Sequence, residues 1–120
     1  MGSILIVDDS AVARQRLVDI LITNGNQVIE AANGHDGIEK AEKCKPDCIV
    51  LDLLMPDING VEVLKVLKQK NLDIPTIILS ADIQVTTQNE CMENGAAAFL
   101  EKPVNENELI EVLQGIFCSK

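Results

Sequence analysis

Apolar residues alternate along this chain between two spacings. Continuous runs such as Ile4-Leu5-Ile6-Val7 and Cys48-Ile49-Val50-Leu51 suit strands covered on both faces. Between the runs, apolar positions recur at helical spacing, leaving one dry face. The first such stripe is Ala13, Leu17, Ile20 and Leu21. It predicts a helix from Ala11 to Asn24, with Ser10 as N-cap, Gly25 as stop, and Arg14, Gln15 and Asp19 on the wet side. A weaker strand, Val28 to Ala32, is broken by Asn33-Gly34, and a helix from about His35 to Cys44 turns Ile38 and Ala41 inward. Lys45-Pro46-Asp47 is a turn, and Cys48 to Asp52 is the central strand. Asn59 followed by Glu62 reads as a capping box for a helix that buries Val63, Leu64 and Leu67. A strand from Thr76 to Leu79 leads to the least apolar helix, about Gln84 to Asn94, anchored by Val85, Cys91 and Met92 and stopped by Gly95. The strand Ala96 to Leu100 precedes a second Asn-to-Glu cap, Asn105 with Glu108. The last helix carries Leu109, Leu113, Ile116 and Phe117, and Ile110 and Val112 widen that stripe into an arc that suits either edge packing or a contact site. Strands and helices alternating in this way predict an α/β fold. One parallel sheet carries helices on both faces, in a single domain of residues 1–120.

Composition narrows what such a domain does. Aromatic residues make up 2% of the chain, with no Trp and no Tyr, so the core is aliphatic and base-stacking platforms are excluded. A net charge of -9 argues against direct binding of DNA or RNA. The start Met1-Gly2-Ser3 runs straight into the first strand without a basic front or a long apolar region. That is no secretion signal, and no apolar stretch approaches membrane-spanning length, so the expected compartment is the cytoplasm with no membrane insertion. Cys44, Cys48, Cys91 and Cys118 lack the paired spacing of a zinc site and are expected as reduced thiols.

Candidate chemistry collects at the ends of the strands. Asp8 and Asp9 close the first run, Asp52 the central one, Ser80 follows the fourth strand and Lys102 the last. In an open parallel sheet all these ends face one crevice. Carboxylates crowded there repel one another, which raises a pKa or recruits a cation. With only oxygen ligands on offer, Mg²⁺ is the natural ion. Lys102 adds a point charge for a phosphoryl group and the Ser80 hydroxyl a donor to it. Asp52 is then a nucleophile that becomes an aspartyl phosphate.

The elements Val7-Asp8-Asp9-Ser10, Leu51-Asp52 with Met55-Pro56 and Asn59-Gly60, Leu79-Ser80-Ala81, Gly95-Ala96 and Lys102-Pro103 extend over the whole chain. In this order and spacing the chain resembles the receiver domain of two-component response regulators, in particular the single-domain chemotaxis regulators. The resemblance implies a doubly wound, flavodoxin-like sheet of five strands in the order 2-1-3-4-5. It implies phosphoryl transfer from a histidine kinase to Asp52. Mg²⁺ would be held directly by Asp9, Asp52 and the Leu54 carbonyl, and by Asp8 through water. Ser80 is the position whose hydroxyl follows the phosphoryl group, and Phe99 is the aromatic switch position. Lacking a hydroxyl, Phe99 must work by burial and packing. The resemblance also implies a cis peptide between Lys102 and Pro103.

The expected role is therefore a phosphorylation-activated signalling switch and not a turnover enzyme, beyond its own phosphorylation and dephosphorylation. Its partners are a histidine kinase or phosphotransfer protein and a downstream effector that reads the surface near Phe99. A phosphorelay intermediate that passes its phosphate to a histidine phosphotransfer protein has the same residues. An aspartate-nucleophile phosphatase of the haloacid dehalogenase kind wants a D-x-D motif where this chain has Asp8-Asp9. A pseudo-receiver that only binds partners does not explain a full set of acidic and basic site residues.

Overall fold

A computed structural model describes residues 2–118. These residues form five strands and five helices in strict alternation: β1 (Ser3–Val7), α1 (Ala11–Thr23), β2 (Gln27–Ala31), α2 (Gly34–Cys44), β3 (Cys48–Asp52), α3 (Gly60–Gln69), β4 (Thr76–Ser80), α4 (Val85–Glu93), β5 (Ala98–Glu101) and α5 (Glu106–Cys118). The strands are parallel and lie in the order β2-β1-β3-β4-β5, as expected.

Successive strand residues point to opposite faces, so each apolar run feeds two core layers. Leu5, Val7, Ile49, Leu51 and Ile78 pack in one layer with residues of α2, α3 and α4. Ile4, Ile6, Val50, Ile77 and Leu79 pack in the other with Leu17, Ile20 and Leu21 of α1 and Leu109 and Leu113 of α5. Ile110, Val112, Ile116 and Phe117 rest partly buried against this second layer, so the broad arc of α5 is edge packing.

Helix starts follow the polar signals. Ser10, Asn33, Asn59 and Asn105 each accept a hydrogen bond from the backbone N–H three residues on. Asn33 is thus a cap as well as a strand breaker. Gly25 (φ 83) and Gly95 (φ 100) turn the chain out of α1 and α4 in the left-handed region that glycine tolerates.

Two expectations need correction. Of the three residues expected to anchor α4, only Cys91 is buried; Val85 is 70% and Met92 48% exposed. The last strand begins at Ala98 rather than Ala96, because the Ala96 N–H is still occupied closing α4 onto the Cys91 carbonyl. Among the described residues no helix is long and apolar enough to cross a membrane; Cys48 and Cys91 are buried and Cys44 and Cys118 exposed.

Candidate functional site

Sheet register assembles the site. Val7 lies beside Leu51, Asp52 beside Leu79, and Ser80 beside Glu101. The next residue along each strand therefore emerges at one edge, which brings Asp8, Asp52, Ser80 and Lys102 together. Ligand oxygens of Asp8, Asp9 and Asp52 lie within 4.8 Å of one another.

The three acids are not equivalent. Asp8 is 1% exposed and each of its oxygens has a partner: Oδ1 accepts from the Ser10 N–H at 2.9 Å and Oδ2 from Lys102 Nζ at 3.0 Å. Asp9 is exposed, with a carboxylate oxygen within 4.8 Å of those of Asp8 and Asp52. Asp52 is 7% exposed, with Lys102 Nζ 3.1 Å from its Oδ1. Burial pushes the Asp52 carboxyl above its ordinary pKa, and the neighbouring Asp8 pushes the same way against the pull of Lys102. Burial also works to lower the pKa of the Lys102 ammonium, but the two carboxylates it bridges outweigh burial and hold it above its usual range. The Lys102–Pro103 peptide is cis.

This donor set fits a hard cation. It offers only oxygens, with no His or Cys among them. Mg²⁺ wants oxygens about 2.0–2.1 Å away and keeps several waters, which the exposed side of Asp9 leaves room for. Gly60 starts α3 hard against the strand end, where a Cβ would stand 3.1 Å from the Leu53 Cα. The loop between them carries Leu54, whose side chain is 67% exposed.

Ser80 is buried, and its Oγ accepts the Asp82 N–H at 3.0 Å. The Asp82 carboxylate then holds the start of α4. Its Oδ1 accepts from the Gln84 N–H and its Oδ2 from the Thr87 hydroxyl, both at 3.0 Å. Phe99 is half-buried on β5, beside Ile78, against the layer under α2, α3 and α4.

Three residues here carry no signal in the sequence pattern. Arg14, read as part of a wet face, sends Nη1 to the Asp8 carbonyl at 2.7 Å and Nε to Glu30 at 3.3 Å. Asp82 links the Ser80 hydroxyl to α4. Asp57 accepts from the backbone N–H groups of Gly34 and His35 at 3.0 and 2.9 Å and lies 2.8 Å from His35 Nδ1. Burial opposes ionisation of Asp57, but the N–H groups of His35, Gly34 and Ile58 and the His35 ring hold its carboxyl far below the usual range.

A family model described as "Response regulator receiver domain" matches residues 4–114. Protein PilH of Pseudomonas aeruginosa is 36% identical over 98% of this chain and 99% of its own length. Chemotaxis protein CheY of Bacillus subtilis is 36% identical over 92% of each chain. The solved structure of Vibrio cholerae chemotaxis protein CheY4 superposes with a TM-score of 0.90 at 31% identity, covering 97% of this chain and 98% of that one.

Proposed function

This chain belongs to the response regulator receiver domain family, a phosphorylation-activated signalling switch, and from that premise we propose that Asp52 is its phosphoryl acceptor. The observation that carries this reading is the position of Asp52. It is the acid at the end of the central strand, bridged by Lys102 to Asp8 and within reach of Asp9. An Asp52 oxygen attacks the phosphorus of a phosphohistidine on a kinase or phosphotransfer protein. The O–P bond forms as the P–N bond breaks, and the leaving imidazole keeps the electron pair and takes up a proton. Water later attacks the same phosphorus, releases inorganic phosphate and restores the carboxylate. Lys102 and the Ser80 hydroxyl meet the phosphoryl oxygens. Asp9, Asp52 and the Leu54 carbonyl would hold Mg²⁺, with Asp8 beside them. There the ion would supply positive charge against the repulsion between these carboxylates and the incoming phosphoryl group.

Receiver domains are switches rather than turnover enzymes, and here the output is read by protein contact. The face formed by α4, β5 and α5 is the proposed reader site. Exposed Val85 and Met92 give it an apolar stripe, and Phe99 packs behind it. Near-complete mutual coverage with PilH supports reading residues 1–120 as one receiver domain, working in the cytoplasm with its kinase.

Incubation with a small phosphodonor and Mg²⁺, followed by intact mass, tests the assignment. One phosphoryl group is expected on the wild-type chain, none on Asp52→Asn, and none in EDTA. Retained labelling of Asp52→Asn overturns the acceptor, and undiminished labelling in EDTA overturns the metal.

A further inference from the structure

We infer that Asp57 is a positioning residue for the metal: it ties the loop between β3 and α3 to the start of α2 and so sets the Leu54 carbonyl. The inference rests on the proposed Mg²⁺ site. That loop is closed at its base by the Gly60 N–H on the Leu53 carbonyl at 2.7 Å. Between Leu54 and Ile58, the hydrogen bonds that reach another part of the described chain all run through Asp57. The Leu54 side chain is exposed, so it does not pack this loop down.

Asp57 is well made for the task. The first N–H groups of α2 have no partner within the helix, and the positive end of the helix dipole faces a carboxylate there. Its two oxygens take up Gly34 and His35 separately, so the loop is held at two points and cannot pivot about one. An ionised carboxylate only accepts, so His35 Nδ1 carries the proton in the third bond. A second contact locks the same junction. A Cβ on Gly34 would fall 2.4 Å from Ile58 Cγ1, so Ile58 sits directly on the glycine backbone. Polar bonds and apolar contact thus fix one geometry between loop and helix.

Residues that orient a metal ligand without touching the ion govern affinity by roughly 10–100-fold. Calorimetric titration of the full chain with MgCl₂ tests whether Asp57 is one of them. Asp57→Ala should weaken Mg²⁺ binding by about tenfold or more while remaining folded. Gly34→Ala keeps the carboxylate but drives Ile58 and the loop off α2, and it should weaken Mg²⁺ similarly. Asn33→Ala removes the other cap of α2 without touching the loop, so its affinity should match wild type. If Asp57→Ala does not fold, Gly34→Ala against Asn33→Ala carries the comparison alone.

Equal affinity in wild type and Gly34→Ala overturns the inference. A loss in Asn33→Ala as large as in Asp57→Ala also overturns it, because helix stability would then be the cause. A wild-type chain that takes up no Mg²⁺ defeats the metal assignment itself, and the positioning role falls with it.

Discussion

At Asp52, burial and the neighbouring Asp8 disfavour the charge that phosphoryl transfer requires. Its folded pKa lies above the unfolded one, so the folded chain holds the proton more tightly. Stability from this residue is therefore greatest at low pH and falls as pH rises from about 4, the unfolded value, through the folded one. At neutral pH without metal, the ionised group is a penalty. Asp52→Asn should raise the melting temperature in EDTA by about a few degrees, since 1 kcal/mol moves Tm by about 4–8 °C in a domain near this size. A lower Tm for the variant would contradict the penalty. Lys102 works in the opposite sense. Its raised pKa contributes stability that is present at neutral pH and lost only as pH climbs beyond about 10. Lys102→Met leaves Asp8 buried without its cation, at a cost of about 1–3 kcal/mol. Urea unfolding in EDTA should report that loss. A variant as stable as wild type would mean that the Lys102 bridge adds no net stability. Asp8, Asp9, Asp52, Ser80 and Lys102 were legible because each closes or follows an apolar run, and the end of a strand is a fixed address in a parallel sheet. Arg14, Asp57 and Asp82 were not. A polar residue in a loop or on a wet helix face looks solvated until the fold shows which N–H or carbonyl it meets.

Among the elements, α4 is the one held least by its core. Cys91 is its one buried residue, and its N-cap, Gln84, makes no side-chain cap bond. Asp82 substitutes, gripping Gln84 and Thr87 with its carboxylate and Ser80 with its N–H. The expected anchoring by Val85 and Met92 failed for a geometric reason. At about 100° per residue, positions seven apart share one face, and a residue six along is turned by roughly 100° from it. The helix carried two candidate faces, and the Cys91 face won the core. Asp82→Ala should cost about 1 kcal/mol, the usual loss for a cap. Amide exchange should speed up across residues 85–93 while α1 and α5 keep wild-type protection. Uniform acceleration would assign Asp82 to global stability instead. The same clasp gives the switch a lever. A side chain as short as serine places its oxygen in one staggered position at a time. If the Ser80 hydroxyl turns to a phosphoryl group on Asp52, it leaves the Asp82 N–H, and the grip on α4 changes with it. Amide shifts on adding beryllofluoride, a phosphoryl mimic, should spread from Asp52 through Asp82 to residues 84–93 and Phe99. Shifts confined to Asp8, Asp9 and Asp52 would exclude this face as the output.

For the whole molecule, metal and fold are linked. An ion bound only by the folded chain stabilises it by mass action, by about 2.7 kcal/mol at a hundred times Kd. Mg²⁺ should therefore raise the wild-type Tm in a concentration-dependent way, and less so for Asp9→Asn. Equal gains for the two proteins would show that the ion acts elsewhere. Fold class and strand alternation were visible in the chain because both core layers are fed from continuous apolar runs. Strand order came from resemblance, since periodicity fixes which elements form but not which neighbours they choose.

The bridge that Lys102 makes between Asp8 and Asp52 limits the form the message can take. Three carboxylates against one ammonium leave a formal charge of −2 at the mouth of the sheet. A divalent ion cancels it. Converting one carboxylate to an acyl phosphate then adds about one negative charge, a phosphoryl group carrying about −1.5 to −2. On a chain of net charge -9, and behind a screening length of about 8 Å, one more charge is nearly invisible to a distant partner. This protein cannot broadcast its state as a field. A reader has to touch it, and what the reader feels is shape.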